Sequence, residues 1–339
     1  MRLAVVDIGS NSTRLFLCER IAEAGPHGDR HTQITGLRRG AAPDGTVTAE
    51  AIERLEATLR DYARLIRAFG PARTLAIGTS AVRDAPNMET IAAAVEGALG
   101  ASLTVVSGET EADLAYIGAR LAAPDGPAAV IDIGGGSTEV TWIALKPAPN
   151  GPAEGGPAEG GAALDGLEIL ASVSLPLGVV TFAERFGGRR VKPETYRAMV
   201  AEVRAAFAPF EAAQGLGAAI AADDVQMLGT SGTVTTLAGV HRGLKRYDRR
   251  RVDGCRLGFD DVRATVRRIR AMGYEERVGH PCIGAQRADL VVAGCAILEA
   301  LCTLWPVGEL KVADRGLREG ILYHLMNGAA VQRWDGRQG

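Results

Sequence analysis

The sequence predicts an α/β protein made of two halves of similar fold that face a common cleft. The first observation is a repeat: VVDIGSNSTRL near the N-terminus returns as VIDIGGGSTEV, so that Asp7 aligns with Asp132 at an offset of 125 positions (132 less 7). The second is that each copy joins two β-rich runs through a short polar turn and is followed by helical periodicity. A repeat of this size indicates two domains rather than a short-period solenoid.

The elements of the first half follow from local patterns. The apolar run Leu3 to Ile8 and the β-rich run Arg14 to Cys18 predict two strands joined by a tight turn. Thr48 to Phe69 carries apolar residues at helical spacing, which predicts an amphipathic helix. Strand-like runs follow at Leu75 to Ile77 and Leu103 to Val106, so strands alternate with helices as in the α/β class.

The second half repeats this order of strands and helices. Its predicted elements are strands at Val130 to Ile133, Thr138 to Ile143, Val225 to Leu228 and Leu310 to Ala313, a helix at Pro193 to Phe210, and a last helix that ends near Met326. The predicted domains are residues 1–120 and 125–312, and we expect a helix at about 315–328 to pack back on the first domain. The chain length of 339 residues suits two domains with a shared cleft.

A Gly/Pro/Ala tract interrupts the second half. Residues 146–166 read KPAPNGPAEGGPAEGGAALDG and contain the duplicated string GPAEG. This composition cannot bury a core, because it has few large apolar side chains. We expect a mobile hairpin insertion between two strands, with no chemistry of its own.

Composition excludes several classes of protein. The 47% hydrophobic and 23% charged residues are typical of a folded, soluble domain. The uncharged runs are too short for a membrane helix and the N-terminus lacks a signal-peptide core, so we expect a cytoplasmic protein with no membrane partner. A net charge of -2 argues against a nucleic-acid partner.

Cysteines and histidines offer no metal motif. The five cysteines form no CxxC pair and their odd number argues against a disulfide framework, so we expect reduced, mostly buried thiols. The five histidines form no HExxH motif, so a zinc site has little support. Any metal is therefore expected on carboxylates.

One segment concentrates positive charge. Arg242 to Arg256 reads RGLKRYDRRRVDGCR and is followed by Arg267, Arg268 and Arg270. These side chains either guide a polyanion toward the cleft or are ordinary solvated arginines.

The two polar turns predict a phosphate clamp. Glycines let the backbone approach an anion closely, while consecutive N–H groups and serine hydroxyls donate to phosphate oxygens. The candidate phosphate-binding residues are Gly9, Ser10, Asn11 and Ser12 in the first turn and Gly134, Gly135, Gly136 and Ser137 in the second. Asp7 and Asp132, at the two strand ends, are placed to hold Mg²⁺, which takes oxygen ligands.

Three further side chains are candidates for chemistry. Glu111 opens a predicted helix, where an acid either serves catalysis or simply favours the helix N-terminus. Glu139 lies two positions beyond Ser137 and is expected on the same face of its strand, near the phosphate or the metal. Arg83 follows a predicted strand and either binds phosphate through its planar guanidinium or forms a surface ion pair.

An ordered set of motifs then identifies a family. Eight segments between residue 3 and about residue 325 resemble the exopolyphosphatase / guanosine pentaphosphate (pppGpp) phosphatase family, Ppx/GppA: VVDIGSNSTRL, TSAVRDAPN, SGETEADL, DIGGGSTEV, SLPLG, GTSGTVTTLA, RADLVVAGCAIL and VADRGLREGIL. The resemblance implies the actin/Hsp70/sugar-kinase superfamily fold, with two actin-like (ribonuclease H-like) domains of mixed sheets flanking a central cleft. It also implies Mg²⁺-dependent hydrolysis of terminal phosphoanhydrides and a homodimer.

The resemblance assigns roles by motif. Glu111 corresponds to the general base, Glu139 would support the water or metal, Asp132 would face Mg²⁺, and Arg83 would hold phosphate. By superfamily analogy, Gly229, Thr230, Ser231 and Gly232 form a loop that meets a nucleotide or further phosphates. Two departures matter: Thr181 stands where relatives often carry arginine, and the chain ends soon after GLREGIL, where longer relatives continue into a helical region.

The expected function is therefore an exopolyphosphatase that releases terminal orthophosphate by in-line attack of water. Removal of the 5′ phosphate of pppGpp is the alternative, because both substrates present a terminal phosphoanhydride to the same clamp. An ATP-dependent kinase and a non-catalytic sensor of polyphosphate or alarmones are the remaining hypotheses.

Overall fold

The computed structural model describes residues 1–22, 25–120, 127–145, 167–222 and 225–326. The predicted insertion at 146–166 lies outside the described residues. The first sheet ends at Val105 and the second begins at Ala128. The expected domain limits of 1–120 and 125–312 stay a prediction.

Two mixed sheets contain the strands of the described segments. The first holds β1 (Leu3–Ile8), β2 (Thr13–Ala22), β3 (Gly25–Gln33), β4 (Arg73–Gly78) and β5 (Leu103–Val105). The second holds β6 (Ala128–Ile133), β7 (Thr138–Leu145), β8 (Leu167–Leu175), β9 (Gln226–Thr230), β10 (Arg256–Gly258) and β11 (Glu309–Val312).

The strand order shows that the two halves with the repeated sequence also share one sheet topology. The first sheet has the order β3-β2-β1-β4-β5 and the second has β8-β7-β6-β9-β11, with β10 added at the edge. In both sheets the first three strands in chain order are antiparallel neighbours, while two later strands, β4 and β5 in the first sheet and β9 and β11 in the second, run parallel to the first strand. The register also repeats, because Asp7 pairs with Arg14 and Asp132 pairs with Glu139. The expectation of two similar α/β sheets is confirmed.

The helices begin and end largely where local signals place them. In chain order they are α1 (Ala49–Phe69), α2 (Ser80–Arg83), α3 (Met88–Leu99), α4 (Gly108–Arg120), α5 (Val179–Phe186), α6 (Pro193–Gln214), α7 (Leu216–Ala221), α8 (Ser231–His241), α9 (Arg249–Val252), α10 (Phe259–Ala271), α11 (Tyr274–Gly279), α12 (Val291–Leu304) and α13 (Leu317–Met326). In α1, the Thr48 hydroxyl accepts from the backbone of Ala51 at 3.3 Å and caps the first turn. Gly70, at a left-handed φ of 63°, ends the helix.

Both faces of the first sheet are covered. Along β1, Ala4 and Val6 belong to a core cluster with side chains of α1 and α3, whereas Leu3 and Val5 face α4 and α13. Strand alternation explains why neighbouring residues of one strand enter two different cores. The strand is therefore buried on both sides, which fixes the position of Asp7 at its end.

Helix α13 packs against α4, and α4 also contacts β7 and β8 of the second sheet. The two helices approach closely at glycines: a Cβ on Gly118 would stand 1.9 Å from the carbonyl oxygen of Gly316, and one on Gly320 would stand 1.9 Å from that of Leu114. Only glycine permits this approach. Helix α4, which carries Glu111, is thus held between the halves.

The second sheet packs against α5, α6, α8, α10 and α12. Helix α12 is apolar on nearly all its faces because other helices surround it. The five cysteines are free and four of them are buried, as expected. Among the described residues, no helix has both the length and the apolar character needed to cross a bilayer.

Candidate active site

A cavity of about 690 Å³ lies between the two sheets. The first half lines it with Asp7, the turn Gly9 to Ser12 and Glu111; the second half lines it with Asp132 and parts of the turn Gly134 to Ser137. Each carboxylate comes from the end of a central strand or the start of a helix, where side chains leave the core. The structure therefore brings most of the predicted site residues to one place.

The two polar turns have the same conformation and touch each other. The N–H of Gly9 donates to the carbonyl of Ser12 at 3.1 Å, and the N–H of Gly134 donates to that of Ser137 at 2.9 Å. A Cβ on Gly135 would stand 3.0 Å from the backbone nitrogen of Asn11, so the turns meet at this glycine. We call them the first and second phosphate loops.

Helix α5 holds the second phosphate loop from behind. The N–H groups of Val179 and Val180, in its first turn, donate to the carbonyls of Gly134 and Gly135 at 3.0 and 2.8 Å. A Cβ on Gly178 would stand 2.2 Å from the carbonyl oxygen of Gly135. The glycine of the SLPLG motif is thus required by backbone packing behind the loop.

Asp7 and Asp132 occupy equivalent places at the ends of β1 and β6, and both line the cavity. Burial raises the pKa of Asp7, although Arg14 opposes this effect. Burial raises the pKa of Asp132 to about 6; Arg14 lowers it and Asp7 raises it further. The two acids therefore act on each other and on one shared arginine.

Glu111 lies in the first turn of α4 and lines the cavity. Its Oε2 accepts from Nη1 of Arg83 at 3.0 Å, and the same nitrogen donates to the carbonyl of Val106 at 2.9 Å. Burial raises the pKa of Glu111 to about 7; Arg83 counteracts this shift, whereas Asp132 and Asp7 add to it. A carboxyl that titrates near neutral pH, at the edge of a cavity, suits general base catalysis.

Arg83 lies behind Glu111 and is absent from the cavity lining. The structure shows the arginine as a partner of the predicted base, only partly exposed, rather than as a residue of an ordinary surface ion pair. Its direct contact with phosphate stays a prediction. Its observed role is to hold the Glu111 carboxylate in place.

Glu139 is more deeply buried than expected. Its side chain on β7 is 2% exposed and accepts from the Ser174 hydroxyl at 2.7 Å, and the residue does not line the cavity. Burial, with Glu111 and Asp132 nearby, raises its pKa well above the ordinary range. Its predicted role in supporting the water or the metal stays a prediction.

The described residues contain no group of three or more acids, histidines or cysteines arranged to hold a metal. The expected set of Asp7, Asp132 and Glu139 is not among such groups, and Glu139 does not line the cavity. Mg²⁺ commonly uses only one or two carboxylates and takes its other ligands from water and phosphate. Asp7 and Asp132, with pKa values raised by burial and by proximity, fit such a site.

The segment Gly229 to Gly232 is a strand-to-helix junction rather than a loop. Strand β9 continues through Thr230 and α8 begins at Ser231, so Gly229 lies inside the strand and away from the cavity lining. Ser231 has a φ of 76°, the one positive value of a non-glycine residue in the described ranges. Its hydroxyl donates to the carbonyl of Ile133 at 2.6 Å.

The first turn of α8 faces the cavity. Thr230, Ser231 and Gly232 line it, as does Thr233. No side chain caps this helix end, so its first N–H groups are available to an anion. Three of the four residues predicted in this segment therefore reach the site, whereas Gly229 does not. Gly136 does not line the cavity either, since it faces the hydroxyls of Ser10 and Ser80.

A set of arginines forms a cationic wall that the sequence analysis mostly missed. The cavity is lined by Arg14, Arg30, Arg249, Arg287, Arg315 and Arg318. These residues come from β2, β3, α9, the start of α13 and two connecting segments. Nη1 of Arg318 is buried and has no hydrogen-bond partner among the described residues.

Arg249 links this wall to the basic segment at 242–256. Its Nη2 donates to the carbonyl of Asp314 at 2.7 Å. By contrast, Lys245, Arg246 and Arg251 are exposed to solvent. The segment therefore contains one residue at the cavity and others in solvent, and its role in guiding a polyanion stays a prediction. The motifs STRL, RADL and GLREG could have revealed three of the other arginines, namely Arg14, Arg287 and Arg318.

Comparison with known proteins agrees with this geometry. The model of the Ppx/GppA phosphatase family matches residues 20–329. An uncharacterized protein of Streptomyces coelicolor is 31% identical, over 97% of this chain and 92% of its own. Exopolyphosphatase 2 of Mycobacterium tuberculosis is 28% identical, over 96% of this chain and 98% of its own.

Solved structures show the same similarity. An exopolyphosphatase from Cytophaga hutchinsonii superposes with a TM-score of 0.82 at 25% identity, covering 98% of this chain and 99% of that one. The Ppx/GppA protein of Aquifex aeolicus superposes with a TM-score of 0.72 at 26% identity, covering 97% and 98%. With its two duplicated sheets, paired phosphate loops and matched family model, the chain belongs to the Ppx/GppA phosphatase family.

Proposed function

We propose that this protein is an exopolyphosphatase, which hydrolyses the terminal phosphoanhydride bond of inorganic polyphosphate. The observation that carries the proposal is the Glu111 carboxylate, held by Arg83 at the edge of a cavity that both phosphate loops line. The similar proteins from M. tuberculosis and C. hutchinsonii are named exopolyphosphatases, which supports the same activity here.

The residues divide the reaction between them. Backbone N–H groups and hydroxyls of the two loops bind the terminal phosphate, since the glycines allow close approach. Glu111 orients a water molecule in line with the bond that breaks and accepts its proton. The arginines of the cationic wall offset the negative charge of the polyphosphate and of the leaving phosphate.

Mg²⁺ is the proposed cofactor, and Asp7 and Asp132 would hold it. When bound, it would neutralise phosphate charge and lower the pKa of nearby carboxyls. The two aspartates are buried at a site with several phosphate-binding groups, which is where a metal shared between protein and substrate is useful.

The arginines of the cavity favour a polyanion with several phosphates. Six arginines and five acids line about 690 Å³, and the guanidinium groups offer donors for more than one phosphate. Nη1 of Arg318 is buried and finds no hydrogen-bond partner in the described part of the chain. A buried donor without an acceptor is costly, so an anionic substrate would stabilise this wall.

Hydrolysis of pppGpp is the second candidate, and a specific part of the cavity favours it. Besides the loops, the lining includes Tyr247, Ile283 and Leu290. An aromatic ring with aliphatic neighbours can receive a nucleobase, whereas polyphosphate has no apolar part to place there. The charged and the apolar lining residues thus support different substrates.

A non-catalytic sensor and a kinase fit less well. A sensor has no need for a carboxyl with a pKa raised to about 7 beside a cationic partner. A kinase on this fold requires a second site, for the substrate that accepts the phosphate. We further propose that the protein is cytoplasmic and forms a homodimer. Light scattering of the purified protein would test the dimer.

The test is phosphate release from polyphosphate and from pppGpp, side by side, with Mg²⁺ and with a chelator. We expect release from polyphosphate with the higher kcat/KM, loss of activity in chelator, and loss in Glu111→Gln. A higher kcat/KM on pppGpp would reassign the substrate. Binding of both without release would establish a sensor instead.

A further inference from the structure

A short segment connects the first phosphate loop to the second half of the molecule. Gly36 to Gly40, which we call the clasp segment, follows β3 and precedes α1. The N–H of Gly36 donates to the carbonyl of Asn11 at 2.9 Å, and the N–H of Arg38 donates to that of Ser10 at 3.0 Å. The clasp segment is therefore attached to the first phosphate loop by two backbone hydrogen bonds.

The other end of the clasp segment contacts the second half. The N–H of Gly40 donates to Oε1 of Glu184 at 2.9 Å, and Nη2 of Arg39 lies 3.8 Å from Oδ2 of Asp289. Glu184 is on α5, the helix whose first N–H groups hold the second phosphate loop. The Glu184 side chain thus connects the clasp segment, which is bonded to the first phosphate loop, with α5, which is bonded to the second.

These contacts form a closed ring. The first phosphate loop binds the clasp segment, the clasp segment binds Glu184 on α5, α5 binds Gly134 and Gly135, and Gly135 touches the first loop at Asn11. The Gly40–Glu184 contact is one link of this ring.

A second branch reaches the predicted base. Nη1 of Arg38 lies 3.7 Å from Oδ2 of Asp84, and Oδ1 of Asp84 lies 3.5 Å from Nε of Arg83. Arg83 in turn holds Glu111. The clasp segment therefore contacts both the phosphate loop and the side chains that orient the base.

We propose that Glu184 and the clasp segment position the two phosphate loops for substrate, so that Glu184 is a positioning residue of the proposed reaction. The proposal rests on the proposed function, in that the loops are taken to bind phosphate. The contact is suited to repeated opening and closing because Glu184 and Arg39 are exposed, and exposed polar contacts add little stability. Substrate phosphates bound to both loops would add to the closed form.

The kinetic test compares Glu184→Ala, Glu184→Gln and Glu202→Ala. Glu202 is a matched control, because it also contacts α5, through an ion pair of 2.8 Å with Arg185, but does not touch the clasp segment. We expect Glu184→Ala to raise KM for polyphosphate about three- to tenfold with kcat within about twofold, because a smaller fraction of molecules has the loops aligned. Glu184→Gln keeps an acceptor oxygen and should restore most of the loss.

A second measurement does not depend on activity. Hydrogen–deuterium exchange of the unliganded protein should accelerate at the N–H groups of Gly36, Arg38 and Gly40 in Glu184→Ala, and not in Glu202→Ala. Arg39→Ala, at the second contact, should accelerate the same N–H groups.

The two measurements distinguish failure of the positioning role of Glu184 from failure of the proposed function. Unchanged exchange in Glu184→Ala, or a KM equal to that of Glu202→Ala, would overturn the positioning role. If the wild type hydrolyses neither polyphosphate nor pppGpp, the proposed function fails, and the exchange measurement still decides whether Glu184 holds the clasp segment.

Discussion

Nη1 of Arg83 lies 3.0 Å from Oε2 of Glu111, and the same nitrogen donates to the carbonyl of Val106. The pair joins two short motifs that are 28 residues apart in the chain (111 less 83). The arginine fixes the direction of the carboxylate and limits the rise in its pKa that burial causes. Arg83 thus orients the proposed base and also lowers its proton affinity, against the effects of burial and of the nearby acids.

Glu111→Gln should lower turnover of polyphosphate by about 10²- to 10⁴-fold with little change in substrate binding, because the amide keeps the size but cannot accept a proton. Steady-state kinetics and a binding assay measure both quantities. Glu109→Gln is the matched control, since Glu109 is exposed on the same helix turn. Near-normal kcat in Glu111→Gln would assign the base to another carboxyl.

Arg83→Met should move the acidic limb of the kcat/KM profile upward by about one to two pH units. The guanidinium lowers the pKa of Glu111, so its removal leaves burial and the neighbouring acids to raise that pKa further. Arg256→Met, which removes an exposed ion pair with Glu309, is the control. An unshifted acidic limb would show that Glu111 is not the titrating group.

Stability without Mg²⁺ should fall as the pH rises from about 4.5 to about 7. In this window the folded protein keeps a proton on Glu111 that the unfolded chain releases, because the pKa of the folded state is raised from 4.5 to about 7. Glu111→Gln removes this effect. At pH 8 its free energy of unfolding should exceed that of the wild type by about 1–3 kcal/mol.

Denaturant unfolding of both proteins at pH 5 and pH 8 measures this difference. At pH 5 the two curves should nearly coincide, because the protonated acid and the amide are alike. Curves that stay parallel across the range would contradict the shifted pKa.

Gly178→Ala should destabilise the protein by about 1–3 kcal/mol and raise KM, because the new methyl group would collide with the backbone of Gly135. The carbonyl cannot move without displacing the second phosphate loop. Gly273→Ala is the control, since nothing lies within 4 Å of its Cβ position. Equal melting temperatures for the two variants would contradict the packing described for α5.

The basic segment should separate into two kinds of residue. Arg249→Gln should raise KM for polyphosphate and pppGpp alike, by about tenfold, because Arg249 lines the cavity. Changing Lys245, Arg246 and Arg251 together to serine should raise KM only for long polyphosphate, and only at low salt, where charges act beyond about 8 Å. If the triple variant has no effect even at low salt, those three are ordinary surface residues.

Several features of the fold and site could be predicted from local sequence. The two copies of DIG lie at a fixed offset, and strand, turn and strand follow from residues that are adjacent in the chain. The helix over Ala49 to Phe69 has its cap in Thr48 and its end at Gly70, both visible in the sequence. The sequence predicts a loop at Gly229 to Gly232, whereas in the structure β9 passes directly into α8. This is possible because Ser231, at the junction, has a positive φ.

By itself the sequence determined the strands, the helices and the duplicated phosphate loops, because these depend on periodicity and turn chemistry within about a dozen residues. Only the tertiary structure decided which side chains meet. Glu139 is buried because β8 supplies Ser174 beside it, and Arg83 faces Glu111 because β4 and β5 are neighbours. The cationic wall and the Gly40–Glu184 contact join segments that are distant in the chain, and only packing of the two sheets with α13 and α5 brings them together.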